Sequence, residues 1–290
     1  MEQFLSALRR QGFVPADTSF STGRPDRATV ALTTPAGAPV VAKLYPGGKG
    51  EATFTNMQKI WRSSFGERRQ PPGLPQPLDY LPELGAVIME RIEGRPLAER
   101  DGEDEPICDD CIRLLAELHE CDAVPYTRRT SRGIVRSIQR KVERIASLAP
   151  QHAGAVCEAF GALEAARVKD RELVPSHGDF SPKNVLAGPG RLTLIDWDRF
   201  QWADPARDLA CMATWSWLKS LRRGQSPDRA PLKRVVAVYQ AARPGARLGK
   251  QLRFHVAAVL LRRAHSLVEL WPQDTWLVPV LAKAALRELE

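Results

Sequence analysis

The sequence predicts an α+β fold in two lobes, a small antiparallel β lobe at residues 1–92 and a large helical lobe at residues 93–290. Segments rich in β-branched residues lie mainly before residue 92, and helical periodicity dominates after it. The length also permits two lobes, because 290 residues exceed the ~150 residues that are typical of one domain. We therefore expect the first lobe to end in a hinge at residue 92.

The first lobe is predicted to consist of strands with one internal helix. Residues 1–11 favour a short leading helix, because apolar side chains recur on one face. Residues 28–34 and 40–45 favour strands, and the segment between them contains the Pro and Gly of a turn. Residues 51–61 show helical periodicity, and residues 86–89 form an apolar segment typical of a strand.

The second lobe is predicted to be mainly helical, with two short strands near residues 185–186 and 192–195. The helical segments are 106–121, 132–147, 152–168, 205–222, 230–242, 250–270 and 275–288. The first of them begins with a proline near acidic residues, which suits the positive end of a helix dipole.

Composition indicates an ordinary globular protein, with 43% hydrophobic and 26% charged residues. The longest apolar run falls far short of the ~20 residues of a transmembrane helix. The N-terminal residues lack the basic and apolar segments of a secretory signal. We therefore expect a cytoplasmic protein without a membrane partner.

A net charge of +8 permits an anionic ligand or a nucleic acid as partner. The basic excess is spread along the chain, and its one regular stripe is interpreted as a solvated helix face. That stripe consists of Arg132, Arg136, Arg140 and Arg144. Nucleic acid is therefore not an expected partner, and the sequence indicates no particular oligomeric state.

The five cysteines do not suggest a disulfide framework, because their number is odd. Cys108 and Cys111 form a CxxC pair with His119 nearby, which permits a zinc site. The same segment has the periodicity of an amphipathic helix, in which cysteines three apart pack inward. Packing is the interpretation we favour, and metal binding by this pair stays open.

The strongest chemical signal is Pro175-Ser-His-Gly-Asp-Phe-Ser-Pro-Lys-Asn184, followed by Leu194-Ile-Asp196. Phosphoryl transfer needs a carboxylate that takes the proton of the attacking hydroxyl, a cation on the phosphates and oxygen ligands for Mg²⁺. Mg²⁺ takes few direct protein ligands, mostly oxygens. An Asp and an Asn five residues apart, with a further Asp after a short strand, supply carboxylate and amide oxygens for these tasks.

These motifs, together with Asp204-Pro-Ala-Arg-Asp-Leu-Ala210, resemble the aminoglycoside phosphotransferase and choline kinase superfamily, which has a protein-kinase-like fold. The resemblance implies that Asp179 is the catalytic base and that Asn184 and Asp196 hold Mg²⁺. It also implies that His177 and Asp208 brace the catalytic loop.

The resemblance extends to the first lobe. It implies that Lys43, in the strand Val40-Val-Ala-Lys-Leu, binds the nucleotide phosphates. It also implies that Lys43 forms an ion pair with Glu51. Backbone groups of Glu90 and Ile92 would contact the adenine edge. A phosphate-covering loop is expected near residues 17–25, although this segment has one glycine where protein kinases have several. The alternative for Lys43 is a solvated lysine on an edge strand.

Two departures from protein kinases favour a small acceptor over a peptide. Protein kinases carry Arg between the His and Asp of the catalytic loop, and this chain has Gly178. Twelve positions separate Asp196 from Asp208, which leaves little room for a peptide-binding activation segment.

The charge of the acceptor is left open by the sequence. A polycationic aminoglycoside would need carboxylates, and the candidates are Asp198, Glu269, Asp274, Glu288 and Glu290. In the opposite direction, a C-terminal helix carries Arg262, Arg263 and His265, which would suit an anionic or nucleoside-like alcohol.

The sequence thus predicts an ATP- or GTP-dependent, Mg²⁺-requiring O-phosphotransferase that acts on a hydroxyl of a small molecule. An aminoglycoside or another antibiotic is the leading acceptor. A metabolic alcohol of the choline, homoserine or sugar type is the alternative. A non-catalytic nucleotide-binding regulatory protein is the alternative of another class.

Overall fold

The structure is a computed structural model that describes residues 2–24, 27–45, 47–99, 105–226 and 228–290. The described residues form two compact units. Unit 1 comprises those of Met1–Ile107, Cys121–Tyr126 and Lys183–Phe200, and unit 2 comprises those of Cys108–Glu120, Thr127–Pro182 and Gln201–Glu290. An antiparallel sheet in unit 1 and the helices of unit 2 confirm the α+β class. The domain boundary at residue 92 stays a prediction.

The strands are mostly short and lie mainly in unit 1. They are β1 (Val14–Arg24), β2 (Arg27–Thr33), β3 (Pro39–Leu44), β4 (Pro77–Leu81), β5 (Ala86–Glu90), β6 (Arg95–Pro96), β7 (Arg128–Arg129), β8 (Val174–Ser176), β9 (Val185–Gly188), β10 (Arg191–Leu194) and β11 (Gln201–Ala203). Three sheets result, in the orders β1-β2-β3-β5-β4, β10-β9-β6 and β7-β11-β8.

The helices follow the predicted segments closely. They are α1 (Glu2–Arg10), α2 (Lys49–Trp61), α3 (Ser64–Glu67), α4 (Glu105–His119), α5 (Ser131–Leu148), α6 (Ala153–Ala165), α7 (Ala206–Ala213), α8 (Trp215–Arg222), α9 (Ala230–Ala242), α10 (Gly249–Leu270) and α11 (Val278–Leu289). Short 3₁₀ turns lie at Leu97–Glu99, Pro150–His152, Pro182–Asn184, Trp197–Arg199 and Pro272–Leu277.

The five-stranded sheet of unit 1 is antiparallel throughout. Its core joins Phe4 and Leu8 of α1 to buried residues of the strands, among them Val30, Leu32 and Ile88. The strands β1 and β4 were not predicted, because β1 is mainly polar and β4 begins with a proline after a Pro-rich stretch. The expected phosphate-covering loop falls on β1 for residues 17–24, and residue 25 lies outside the described residues.

The hairpin of β9 and β10 positions two candidate ligands. Val185 pairs with Leu194, and the register continues outward because Ile195 N–H donates to the carbonyl of Asn184 at 2.9 Å. The opposite end of β9 approaches another segment closely. A Cβ on Gly188 would lie 2.1 Å from the carbonyl oxygen of Glu93, so only glycine fits there.

Unit 2 is built around α10, which packs against α5, α6, α7 and α11. Its apolar side chains, including Phe254 and Leu261, belong to one continuous core. The single helix predicted at residues 205–222 was wrong, because α7 and α8 are separate. They break at Thr214, whose hydroxyl donates to the carbonyl of Ala210 at 2.7 Å.

Within the described ranges, none of the helices combines the length and the apolar character needed to cross a lipid bilayer.

Candidate active site

Lys43 in unit 1 contacts a carboxylate far away in sequence. It lies on β3, opposite Val87 of β5, and its ammonium forms an ion pair with Asp196 Oδ1. Both side chains are largely buried, 14% and 26% exposed. Burial alone would lower the pKa of Lys43, but charge interactions with Tyr45 and Asp196 outweigh it, so this pKa lies above its ordinary value. Lys43 is therefore protonated and lies beside the Asp196 carboxylate inside unit 1.

The predicted ion pair of Lys43 with Glu51 was wrong in this geometry. In the structure Lys43 forms its ion pair with the carboxylate of Asp196, and the Glu51 side chain is exposed. Glu51 lies in the first turn of α2, where water and the helix dipole stabilise its charge. The buried face of α2 is formed instead by residues such as Thr53 and Met57.

Asn184 and Asp196 are neighbours across the β9–β10 hairpin. Asn184 precedes β9 and is 4% exposed, and Asp196 follows the residue that donates to the Asn184 carbonyl. The hairpin thus brings together one amide and one carboxylate, which are ligands that suit Mg²⁺. The chemistry of this donor set fits a magnesium ion.

Asp196 has an unusual backbone. Its φ of 70° is the only positive value of a non-glycine residue in the described part of the chain. Left-handed conformations cost free energy for residues with a Cβ, although Asp tolerates them better than most. Such conformations concentrate at functional positions, because surrounding contacts must maintain them. Here the ion pair with Lys43 is such a contact.

Glu90 ends β5, and Ile92 follows at the expected hinge, where both side chains are partly buried. Glu90 has a structural partner that the sequence did not reveal. Both oxygens of its carboxylate accept hydrogen bonds from Arg191, at 2.5 and 3.1 Å. Burial would raise the pKa of Glu90, but these bonds outweigh it and lower the pKa. The contact of the Glu90 and Ile92 backbone with adenine stays a prediction.

Asp179 lies in unit 2, in a loop held by Asp208. Asp208 accepts the backbone N–H of His177 at 2.8 Å and that of Gly178 at 2.9 Å. The Asp208 side chain is fully buried. Because the two amides immediately precede Asp179, their bonds to Asp208 fix the course of the chain into that residue. This arrangement matches the bracing that the resemblance assigns to Asp208.

A buried chain of polar groups extends this brace. His119 Nε2 lies 3.4 Å from Asp208 Oδ2, and His119 Nδ1 lies 2.7 Å from the Tyr239 hydroxyl. Burial lowers the pKa of His119, so its neutral form is favoured. A neutral His119 can donate from Nε2 to Asp208 and accept from Tyr239 at Nδ1. From sequence, His119 was considered only as a neighbour of Cys108 and Cys111.

Asp179 also has a cationic neighbour within unit 2. Arg262 Nη1 of α10 lies 3.4 Å from Asp179 Oδ1, and the two side chains are 23% and 16% exposed. The sequence marked Arg262 as a residue that could line an acceptor site. It could not reveal this contact, because 83 positions separate the two residues.

The CxxC pair is split between surface and interior, since Cys108 is exposed and Cys111 is buried. In the described residues, no group of three or more His, Cys, Asp or Glu side chains could hold a metal ion.

Comparisons with known proteins bear on the fold and the family. A crystal structure of a thermostable mutant of aminoglycoside phosphotransferase APH(4)-Ia matches with a TM-score of 0.71 at 17% identity, covering 99% of this chain and 98% of that chain. The choline kinase LicA from Streptococcus pneumoniae matches with a TM-score of 0.65 at 16% identity, covering 99% and 96%. At these identities the likeness shows a shared kinase-like fold.

A search of curated protein sequences finds no significant match. The family model described as "Phosphotransferase enzyme family" matches residues 18–248, which is most of the chain. This range includes Lys43, the loop of Asp179, and Asp196 with its neighbours. The chain therefore belongs to the phosphotransferase enzyme family that includes the aminoglycoside phosphotransferases.

Proposed function

We propose that this protein transfers the γ-phosphoryl group of ATP or GTP to a hydroxyl of a small molecule in the cytoplasm. The observation that carries the proposal is the ion pair of Lys43 and Asp196, which joins residues 153 positions apart in a largely buried place. Burying two charges is costly, and fold stability alone gains little from it. A kinase needs both groups, one for phosphates and one for a metal ion.

Asp179 would act as the general base. Its carboxylate accepts the proton of the acceptor hydroxyl, whose oxygen forms a bond to the γ-phosphorus. The bond between that phosphorus and the β–γ bridging oxygen breaks, and the nucleoside diphosphate leaves. The brace at Asp208 supports this role, because it fixes the loop that presents Asp179.

Lys43 would contact the phosphates of the nucleotide, and the hinge would contact its base. The Glu90 N–H already donates to the carbonyl of Gln76 at 2.9 Å. Glu90 would therefore contribute its carbonyl oxygen to the adenine edge, and Ile92 its N–H. Asn184 and Asp196 would hold Mg²⁺, which neutralises charge on the transferred phosphoryl group when bound.

An aminoglycoside or another antibiotic is the acceptor class to test first. One structure of similar fold is a ternary complex of an APH(4)-Ia variant with ADP and hygromycin B, with a TM-score of 0.70 at 16% identity. Metabolic alcohols of the choline, homoserine or sugar type are the second class.

The test is a coupled assay of nucleotide consumption with ATP and with GTP. The acceptors are aminoglycosides, nucleoside and macrolide antibiotics, and metabolic alcohols. Asp179→Ala serves as the blank, and Asp110→Asn, which changes an exposed carboxylate of α4, is the matched control. We expect turnover with one acceptor class in the native chain and the control, and none in Asp179→Ala. Nucleotide binding should persist in all three proteins.

Two outcomes would contradict the proposal. Turnover that survives in Asp179→Ala would remove the base assignment. Tight nucleotide binding without phosphoryl transfer to any acceptor class would favour the alternative, a non-catalytic nucleotide-binding regulatory protein.

A further inference from the structure

Three arginines of unit 2 gather around the loop of Asp179. Arg262 and Arg263 come from α10, and Arg207 comes from α7. Arg262 Nη1 lies 3.4 Å from Asp179 Oδ1, and its Nη2 donates to Cys211 Sγ at 3.2 Å. A guanidinium has five N–H groups, so these contacts leave part of its donor capacity unused. The Arg262 side chain is 23% exposed, so an outside group can reach it.

The other two guanidiniums are close enough to Arg262 for their positive charges to repel it. Arg207 Nη2 donates to the carbonyl of Gly178 at 3.1 Å, and its buried Nη1 has no hydrogen-bond partner among the described residues. Arg263 donates to the carbonyl of Thr214 at 2.5 Å and lies over the ring of Trp215, 5.6 Å from its centroid. None of these contacts of Arg207 and Arg263 is with a carboxylate.

Among the described residues, two carboxylates act on the charges of the three guanidiniums. Asp179 and Asp208 are the carboxylates that contact the loop, and Asp208 already accepts two backbone amides beside His119. Burial lowers the pKa of Arg207 and that of Arg263 to about 10. Buried cations are normally paired with anions, because an unpaired charge in a dry place is costly. An anionic partner from outside the chain would relieve this imbalance.

The carboxylates that could attract a cationic acceptor are mostly engaged elsewhere in unit 2. Each is paired with an arginine: Glu269 with Arg144 at 3.0 Å, Asp274 with Arg222 at 2.5 Å and Glu288 with Arg229 at 2.6 Å. These are three of the five acidic residues that the sequence analysis named as candidates for binding a polycation, and each has its charge balanced by an arginine. The charge that remains beside Asp179 is positive.

We propose that the acceptor is an alcohol that carries an oxyanion group, a carboxylate or a phosphate, and that Arg262 binds this group beside Asp179. The inference rests on the proposed function and deepens it. The planar fork of a guanidinium matches either oxyanion with two parallel hydrogen bonds. A polycation placed against the same arginines would be repelled. Arg262 is thus a specificity-determining residue, and the preferred acceptor is anionic instead of an aminoglycoside.

The first experiment measures anion binding and needs no turnover. The full chain is saturated with a non-hydrolysable nucleotide, so that phosphate cannot bind in place of the nucleotide phosphates. Thermal unfolding is then followed with added inorganic phosphate, succinate or kanamycin. We expect phosphate and succinate at millimolar concentrations to raise Tm, and kanamycin to have no such effect.

Two variants locate the effect. Arg262→Gln should abolish the anion-dependent rise in Tm, each protein being compared with itself without anion. Arg140→Gln, which changes an exposed arginine of α5, should keep the rise. An equal rise in Arg262→Gln, no rise in the native chain, or stabilisation by kanamycin instead of the anions would overturn the proposal. Failure to bind any nucleotide would count against the proposed function. Nucleotide binding without an effect of the anions would count against the anionic acceptor alone.

The second experiment uses kinetics and compares matched acceptors, gluconate and glucose 6-phosphate against glucose. In Arg262→Gln we expect KM for the turned-over anionic acceptor to rise roughly 10- to 100-fold, the usual effect of losing a charged hydrogen bond. Arg262→Lys should recover part of this loss. If kcat falls equally for charged and neutral acceptors with no change in KM, Arg262 only positions Asp179 and the proposal fails. The two anions distinguish a carboxylate from a phosphate.

Discussion

Replacing Asp208 by Asn tests whether the loop of Asp179 is held by a buried carboxylate. The substitution keeps the size of the side chain and removes its charge. Asp208 accepts the amides of His177 and Gly178 at 2.8 and 2.9 Å. Asparagine has one oxygen and one NH₂ group, so one of the two amides would face a donor instead of an acceptor.

The expected cost follows from these bonds. A buried N–H that loses its acceptor costs ~1–3 kcal/mol, and the remaining bond loses its charge assistance, which is worth ~1 kcal/mol. Part of this is offset, because the variant no longer buries a charge. The two costs add to about 2–4 kcal/mol, so we expect Asp208→Asn to lower the free energy of unfolding by at most that amount. That is a large share of the ~5–15 kcal/mol typical of a folded protein.

The assay combines urea unfolding with amide hydrogen exchange. Two units need not unfold in one step, so the exchange rates of the His177 and Gly178 amides report the local effect directly. Both amides should exchange faster in Asp208→Asn. Asp122→Asn is the matched control, because Asp122 also accepts a backbone amide, that of Ser64 at 2.8 Å, but at an exposed position. Unchanged stability with unchanged exchange at both amides would refute the reasoning.

Two further predictions concern the metal ligand and pH. Asp196→Asn keeps a side chain that tolerates a φ of 70° and removes the charge next to Lys43, so Mg²⁺-dependent nucleotide affinity should fall at least roughly 10-fold in calorimetric titration. Unchanged dependence on Mg²⁺ would move the metal site elsewhere. Burial lowers the pKa of His255 to about 3, so the unfolded chain binds a proton below pH ~6.5 that the folded chain refuses. The contribution of His255 to stability should therefore fall between pH 6.5 and 4 by up to about 1.4 kcal/mol per pH unit. Burial raises the pKa of the neighbouring Asp204 to about 6, which acts in the opposite direction, so the test compares variants. On acidification His255→Gln should lose less stability in urea unfolding than the native chain, and an identical pH dependence would place the titrating group elsewhere.

The local parts of the candidate site were accessible from sequence. Asp179 and Asn184 are five positions apart, and Asp196 follows a short strand, so motif and hairpin together bring the last two residues near each other. The helices were predicted well for the same reason, since periodicity is local. The break at Thr214 was missed because apolar residues continue through it.

Contacts between distant segments were not accessible. The family resemblance implied that Lys43 pairs with Glu51, whereas the sheet and the hairpin bring Asp196 to Lys43. The bidentate pair of Glu90 and Arg191 likewise joins a strand of one sheet to a strand of another. Spacing along the chain does not predict such pairs, because they depend on how separate helices and strands pack together.

The way the chain is divided between the two units affects how the protein can be made. The chain passes from one unit to the other after Ile107, Glu120, Tyr126, Pro182 and Phe200. A ribosome must therefore synthesise the chain as far as Phe200 before unit 1 has all its parts. A fragment ended at residue 92 would lack the β9–β10 hairpin together with Asn184 and Asp196. Neither unit is one continuous stretch of sequence, so simple truncation yields neither of them whole, and the protein matures only when most of its chain has been translated.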